Sequence, residues 1–229
     1  MPIKAINQDR ASLDFWKNRY PKAIIAPSFL RLEKTLEVTA TTIAFDVTQV
    51  NQPRVTERRL QISDAFVCTS IGMFILKAAG TNSASTDAQI TKSQEFVNEA
   101  PNVFSSNSQG TNLKALYNGF LRLTIDQRVE IDSFPCTNFR RVFTTQQGTT
   151  IFTSSTSALD EAPDAGVGYY GLTPNIFLNG AGKFDLSLNL PTSTDLSSGG
   201  SASYSTALRL TFRGFLIQGA GALEGNRTR

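Results

Sequence analysis

The stretch Phe184-Asp185-Leu186-Ser187-Leu188-Asn189-Leu190-Pro191 decides the fold class. Phe184, Leu186, Leu188 and Leu190 alternate with Asp185, Ser187 and Asn189, and Lys183 extends the polar series. Successive side chains of an extended chain point to opposite faces, so this period of two predicts a strand with one apolar face. Such a face needs a second layer to cover it. Ile176 and Leu178 lead into Asn179-Gly180-Ala181-Gly182 just upstream. Asn and Gly accept the positive φ of tight turns, which predicts a hairpin, and Pro191 is expected to stop its second strand.

The same pattern recurs in both directions. Leu121, Leu123 and Ile125 alternate with Phe120, Arg122 and Thr124; beyond Asp126-Gln127, Val129 and Ile131 alternate with Arg128, Glu130 and Asp132. This predicts a further hairpin, although Asp-Gln is a poorer tight-turn pair than Asp-Gly. Leu30, Leu32, Leu36 and Val38 oppose Arg31, Glu33, Thr35 and Glu37, with Lys34 the one polar residue on the apolar side. Ile43, Phe45 and Val47 follow in phase, Leu60 and Ile62 predict a third short strand, and Phe66 to Ala79 is strongly apolar, with Ser70 and Gly72 dividing it or marking a bulge. Phe139 to Phe143 and Thr149 to Thr153 add short strands. A long last strand carries Leu208, Leu210, Phe212 and Leu216 in phase, interrupted by Gly214.

The connections are unequal. Residues 80–112 read as a long polar connection with one or two helical turns over Thr91 to Asn98, a length that is uncommon in a compact domain and often functional or at an interface. Ser154 to Gly171 and Thr192 to Ser205 read as loop. At the start, Ser12 can cap a short helix, Leu13 to Tyr20, that Pro21 stops. It concentrates Phe15, Trp16 and Tyr20, and it either packs on its own domain or docks on a neighbouring subunit as an arm. With eight or nine strands and little helix, the chain is expected to be an all-β antiparallel β-sandwich, with a jelly roll as the expected form. Residues 1–26 form the N-terminal arm, 27–219 the single sandwich domain and 220–229 a C-terminal tail.

Composition narrows the chemistry. Among 229 residues there is no histidine, which removes Ser-His-Asp and Cys-His catalysis, His-ligated zinc and the commonest general base at neutral pH. Cys68 and Cys136, the two cysteines, are too few for four-thiolate zinc and too far apart for a CxxC motif; they read as buried small apolar side chains, with a bridge between them as the alternative. No nucleophile elbow, Walker loop or HExxH occurs. Gly219-Ala220-Gly221-Ala222-Leu223-Glu224-Gly225 has the wrong glycine spacing for a dinucleotide loop. Asp126, Glu130 and Asp132 read as a solvated hairpin face with Arg122 and Arg128 available to pair, rather than as glycosidase carboxylates. Asp160, Glu161 and Asp164 lack the ligand order of a calcium loop, and Asn226-Arg227-Thr228 is a chance sequon. No catalytic residue, cofactor site or metal site is expected.

The net charge of +3 is mild and sits in small groups: Arg10, Lys17, Arg19 and Lys22; Arg54, Arg58 and Arg59; Arg140 and Arg141; Arg227 and Arg229. These read as solvated faces or salt-bridge sets. Phe120 beside Arg122, and Phe215 beside Arg213, are weak versions of the aromatic–basic pairing of RNA-binding sheets. The longest apolar-rich stretch, Ile71 to Ala79, includes Lys77 and is half of the roughly 20 residues a membrane-spanning helix needs. The opening residues lack the apolar core of a secretory signal, so the chain, if complete, is expected to be soluble and not secreted by that route.

Two stretches resemble virion structural proteins of bacteriophages. One is Leu116-Tyr117-Asn118-Gly119-Phe120-Leu121-Arg122-Leu123-Thr124-Ile125, running on to Phe134-Pro135-Cys136-Thr137-Asn138-Phe139-Arg140-Arg141-Val142; the other is Leu172 to Pro191, where a short polar turn leads into a strand ending in Asn189-Leu190-Pro191. The style and layout are similar to jelly-roll capsid-type proteins of tailless icosahedral phages. That resemblance implies a non-enzymatic shell subunit in the virion capsid, made in the host cytoplasm, which assembles with copies of itself or with other virion proteins. It further implies an arm in which Phe15, Trp16 and Tyr20 are subunit-interface candidates. Arg10, Lys17, Arg19 and Lys22 are candidates to face packaged nucleic acid through weak, screened phosphate contacts. The alternative expectation is a binding module of a virion: a head-decoration, fibre or receptor- and carbohydrate-binding β-sandwich.

Overall fold

The computed structural model describes residues 12–36, 40–48, 56–79, 94–99, 107–142, 168–196 and 204–220. Among these residues nine strands pack as two antiparallel sheets: β1 (Ile24–Thr35), β2 (Ala40–Phe45), β3 (Ala65–Ala79), β4 (Gln94–Phe96), β5 (Phe120–Ile125), β6 (Arg128–Pro135), β7 (Tyr169–Asn179), β8 (Phe184–Thr194) and β9 (Tyr204–Gln218). One sheet runs β1-β9-β3, with β7 and β4 sharing the far edge of β3; the other runs β2-β8-β5-β6. The all-β antiparallel sandwich expected from the alternation is the observed architecture.

The pairing is nested. The first strand pairs with the last, from Ile24↔Gln218 to Thr35↔Ala207. The second pairs with the second-last, β2 with β8. Inside these lie β3 with β7 and then the β5–β6 hairpin. Between the sheets, Leu30, Leu32, Phe66, Met73, Leu208, Leu210 and Phe212 meet Ile43, Phe45, Leu121, Leu123, Leu186 and Leu188 in one core. Each fully buried side chain of this size is worth about 1.5–3 kcal/mol.

Along β3 the inward set changes parity. Phe66 and Cys68 face the core, then Ile71, Met73 and Ile75 do. The register against β9 slips between Cys68 and Ser70, so one extra residue is absorbed there as a bulge. Gly214 lies opposite Cys68, and a Cβ there would overlap the carbonyl oxygen of Val67. This close approach explains the glycine that interrupts the last strand.

Several expected elements are replaced. Ile176 to Leu190 is not a hairpin: β7 and β8 lie in different sheets, and Asn179-Gly180-Ala181-Gly182 is the corner between them. Alternation sets which face is apolar but not which strand edge is paired. The Gly180 amide donates to the Asp64 carbonyl (2.8 Å), and a Cβ would overlap the Gln61 carbonyl oxygen. Pro191 does not stop β8, which continues to Thr194 past an irregularity in its pairing with β2. The expected third strand at Leu60 and Ile62 is instead a segment that bridges two edges, Arg58 to Arg31 of β1 and Leu60 to Thr48 beyond β2, leaving Ile62 exposed. Of the stretch Thr91 to Asn98, expected to form helical turns, Gln94–Phe96 is strand β4, and Thr91 to Ser93 lie outside the described residues. Of the strand expected over Phe139 to Phe143, Phe139 instead ends a 3-10 turn, Cys136–Phe139, whose two ends are buried, residues 140–142 are not strand, and Phe143 lies outside the described residues.

A helix that the sequence did not suggest spans Asn107–Tyr117 (α2, with the N-terminal helix over residues 12–19 as α1). Its Ser/Asn/Gly/Thr-rich start has poor helix propensity, yet Leu113, Leu116 and Tyr117 are buried at helical spacing. The Asp126-Gln127 hairpin does form, with φ of 48° and 73°. Asp126 earns the unfavourable geometry through its carboxylate, which accepts the Lys183 amide at 2.8 Å and pins the hairpin to the β7–β8 corner. Val38, Thr149 to Thr153, Asp160, Glu161, Asp164 and Asn226 lie outside the described residues.

The glycine contacts give a paired expectation. Gly214→Ala should cost about 2–3 kcal/mol, since overpacking against backbone must shift β3. Gly171→Ala, where a Cβ meets nothing within 4 Å, should change stability by less than about 0.5 kcal/mol. Urea unfolding of the two variants measures both; equal effects would refute the close approach at Gly214.

Candidate functional site

Helix α1 lies on the outer face of the five-stranded sheet. Tyr20, 5% exposed, joins Ala65, Val67, Phe215 and Ile217 in a second apolar cluster, with Leu13 and Trp16 packed against it. Trp16 stacks on Phe177 with ring centroids 5.2 Å apart. Arg19 lies over both Trp16 and Tyr20 at 5.8 Å, and the Asn175 side-chain amide donates to the Ser12 hydroxyl at 3.0 Å. Of the three aromatic interface candidates, two therefore rest on the chain's own sheet, and Phe15, 56% exposed, turns outward. Lys17, Arg19 and Lys22 are exposed along this segment, and Arg10 lies outside the described residues.

A charged strip crosses the same face farther along. Glu33 and Arg209 are register partners on β1 and β9, both buried. The Arg209 guanidinium donates from Nε (2.7 Å) and Nη2 (2.6 Å) to Glu33 Oε1 and also pairs with Glu95 of β4. The other Glu33 oxygen accepts from the Thr56 hydroxyl (2.6 Å), and the Glu33 amide donates to Glu57 (2.9 Å). Glu57 pairs with Arg59 at 3.0 Å, and Arg59 reaches Asp46 at 3.4 Å, just beyond β2. Burial pulls the Arg209 pKa down while the Glu33 charge opposes it. The network ties β4, β9 and β1 to the end of the other sheet's first strand. Its buried carboxylates face cations, a hydroxyl and backbone, and Asp46 forms its solvent-exposed end.

A third cluster sits beside α2. Glu99 accepts two hydrogen bonds from the Arg140 guanidinium, and Asn98 donates to the Arg141 carbonyl at 2.5 Å. The Tyr117 hydroxyl is buried there without a partner among the described residues, and burial first, then the Glu99 charge, raises its pKa well above the ordinary value. Burial would raise the Glu99 carboxyl, but the Arg140 hydrogen bonds and the charges of Arg140 and Lys114 bring it below its ordinary 4.5.

The reactive groups are shielded. Cys68 and Cys136 are both free and buried; burial raises the Cys68 thiol and pushes Cys136 up to about 12, so neither is a thiolate at neutral pH. The hairpin carboxylates are solvated, with Arg128 donating to Glu130 at 2.6 Å on the surface. Among the described residues no group of three or more Cys, Asp and Glu is placed to hold a metal ion, and no helix is long and apolar enough to cross a membrane. No protein-family model, curated protein or solved structure matches the chain.

Two expectations follow. Arg209→Met leaves Glu33 buried without its cation and should cost about 3–5 kcal/mol in urea unfolding, with part recovered when Glu33→Leu is added. Because the folded-state pKa of Glu99 is depressed, its contribution is present above the ordinary 4.5 and is lost as pH falls through the lower folded value. Unfolding free energy should therefore fall more steeply on acidification below 4.5 in the wild type than in Glu99→Gln; parallel curves would contradict this.

Proposed function

We propose that this chain is a structural virion protein: a jelly-roll capsid-type subunit of a tailless icosahedral phage that assembles with copies of itself or with partner proteins into a shell, without catalytic activity. The observation that carries the reading is the nested pairing. With β4 set aside, the sheets are β1-β9-β3-β7 and β2-β8-β5-β6. This is the order obtained by rolling up one long antiparallel hairpin, first strand on last and second on second-last. Eight-stranded sandwiches of this kind serve as viral capsid and lectin domains. Supporting it are the absence of histidine, two shielded thiols, and side chains such as Phe15 and Phe120 left exposed for neighbours. On this reading the protein's place is the virion.

Light scattering after size-exclusion chromatography, with electron microscopy of the same fractions, tests it. Shells, sheets or large rings are expected, and Phe15→Ser should weaken them while leaving the melting temperature in place. A monomer at every concentration and salt would overturn autonomous assembly and favour the binding-module alternative.

A further inference from the structure

The sequence holds Asn-Gly twice, at Asn118-Gly119 and at Asn179-Gly180. A glycine after asparagine carries no side chain to keep its backbone nitrogen away from the asparagine Cγ. The two pairs sit in different surroundings. At the β7–β8 corner the groups that would have to move are held. The Gly180 amide donates to the Asp64 carbonyl at 2.8 Å, Asn179 Oδ1 accepts from the Ala181 amide at 3.1 Å, and the Asn179 carbonyl accepts from the Gly182 amide at 2.8 Å. Gly180 is also pressed against the Gln61 carbonyl oxygen. Asn118, by contrast, follows the last turn of α2 and is exposed. Its side chain makes no hydrogen bond among the described residues. The Gly119 amide reaches the Leu116 carbonyl at 3.3 Å, and the Asn118 amide reaches that of Ala115 at 3.2 Å. Long bonds at a helix end open most readily. The Gly119 carbonyl is held by the Cys136 amide at 3.0 Å, so the movement that aligns the pair comes from Asn118 and the helix end.

We propose that Asn118 is a modification site, at which the folded chain deamidates itself with water as co-reactant, while Asn179 keeps its amide. The Gly119 nitrogen gives its proton to solvent and forms a bond to Asn118 Cγ; the Cγ–Nδ2 bond breaks and the amide nitrogen leaves as ammonia. Water then opens the five-membered imide at either carbonyl, leaving aspartate or isoaspartate. One amide and one water become one carboxylate and one ammonium ion, with no oxidation or reduction. Both products put a negative charge at the C-terminal end of α2, where the helix dipole opposes it, two residues from exposed Phe120. Isoaspartate also adds a carbon to the main chain ahead of Gly119, where even a Cβ would crowd the Asn189 carbonyl oxygen. The site goes beyond the shell reading and does not depend on it, because the chemistry is read on the chain itself whatever its oligomer.

The test is ageing of the full chain at mildly alkaline pH, folded in buffer and unfolded in urea, followed by trypsin and mass spectrometry. Cleavage after Lys114 and Arg122 isolates Ala115 to Arg122, in which Asn118 is the sole asparagine; cleavage after Arg141 and Lys183 gives the peptide that carries Asn179. In urea the two asparagines should convert at similar rates, since the dipeptide is the same. In the folded chain Asn118 should convert roughly tenfold faster than Asn179 or more, because alignment at the corner breaks more hydrogen bonds. Its peptide should split into aspartate and isoaspartate forms, and Asn118→Gln should abolish both. Equal folded-state rates at the two sites would overturn the proposal. So would an Asn118 that keeps its amide in the folded chain while the unfolded chain loses it.

Discussion

The pairing of the first strand with the last is the constraint on which the other contacts depend. β1 and β9 come together only after nearly the whole chain has been laid down, and each then presents Leu side chains to the core and a polar row to the outside. Because β9 also pairs along β3, it is the central strand of its sheet, and the opposite sheet closes over the face that β1, β9 and β3 build together. Pairings this distant in sequence carry a large loop-closure entropy before they are rewarded. The buried Glu33–Arg209 pair sits on this seam. A buried ion pair is a poor source of net stability but penalises any register that separates its members, so it favours one alignment of the two terminal strands.

The same face divides into three parts with different tasks. At one end α1 lays Trp16 and Tyr20 over Val67, Phe215 and Ile217, converting an apolar outer patch into interior. In the middle the ion network satisfies its own members. At the free edge of β1, Arg31 and Arg58 are left facing one another over Phe29. The first two parts explain themselves by packing and charge pairing, and in the third two guanidiniums share one aromatic ring.

Much of the fold was legible from the alternation. β1, β2, β5, β6, β8 and β9 follow the apolar phases of Leu30, Ile43, Leu121, Ile131, Leu186 and Leu208, because a half-buried strand writes its period directly into the sequence. What alternation leaves out is the partner. Ile176 to Leu190 looks the same whether its two strands pair or part into separate sheets, and only the close approach of Gly180 to the Gln61–Asp64 backbone distinguishes a corner from a hairpin. Helix α2 was hidden because its polar first turns carry no periodic signal, although Leu113, Leu116 and Tyr117 were spaced to reveal its last one. Of the outer face that carries the candidate site, the edge was least legible: Arg31 and Arg58 are far apart in the chain and meet through a single bridge that no local pattern announces.

The most direct test of the nested pairing is an engineered cross-link at its outermost rung, Ile24→Cys with Gln218→Cys. Both positions are exposed register partners, and the native thiols are buried and protonated, so the new pair should react selectively. The account predicts an intramolecular disulfide on mild oxidation and a higher melting temperature, since the bridge closes nearly the whole chain. A pair that stays reduced, or that links only different subunits, would contradict a fold closed by its own first and last strands.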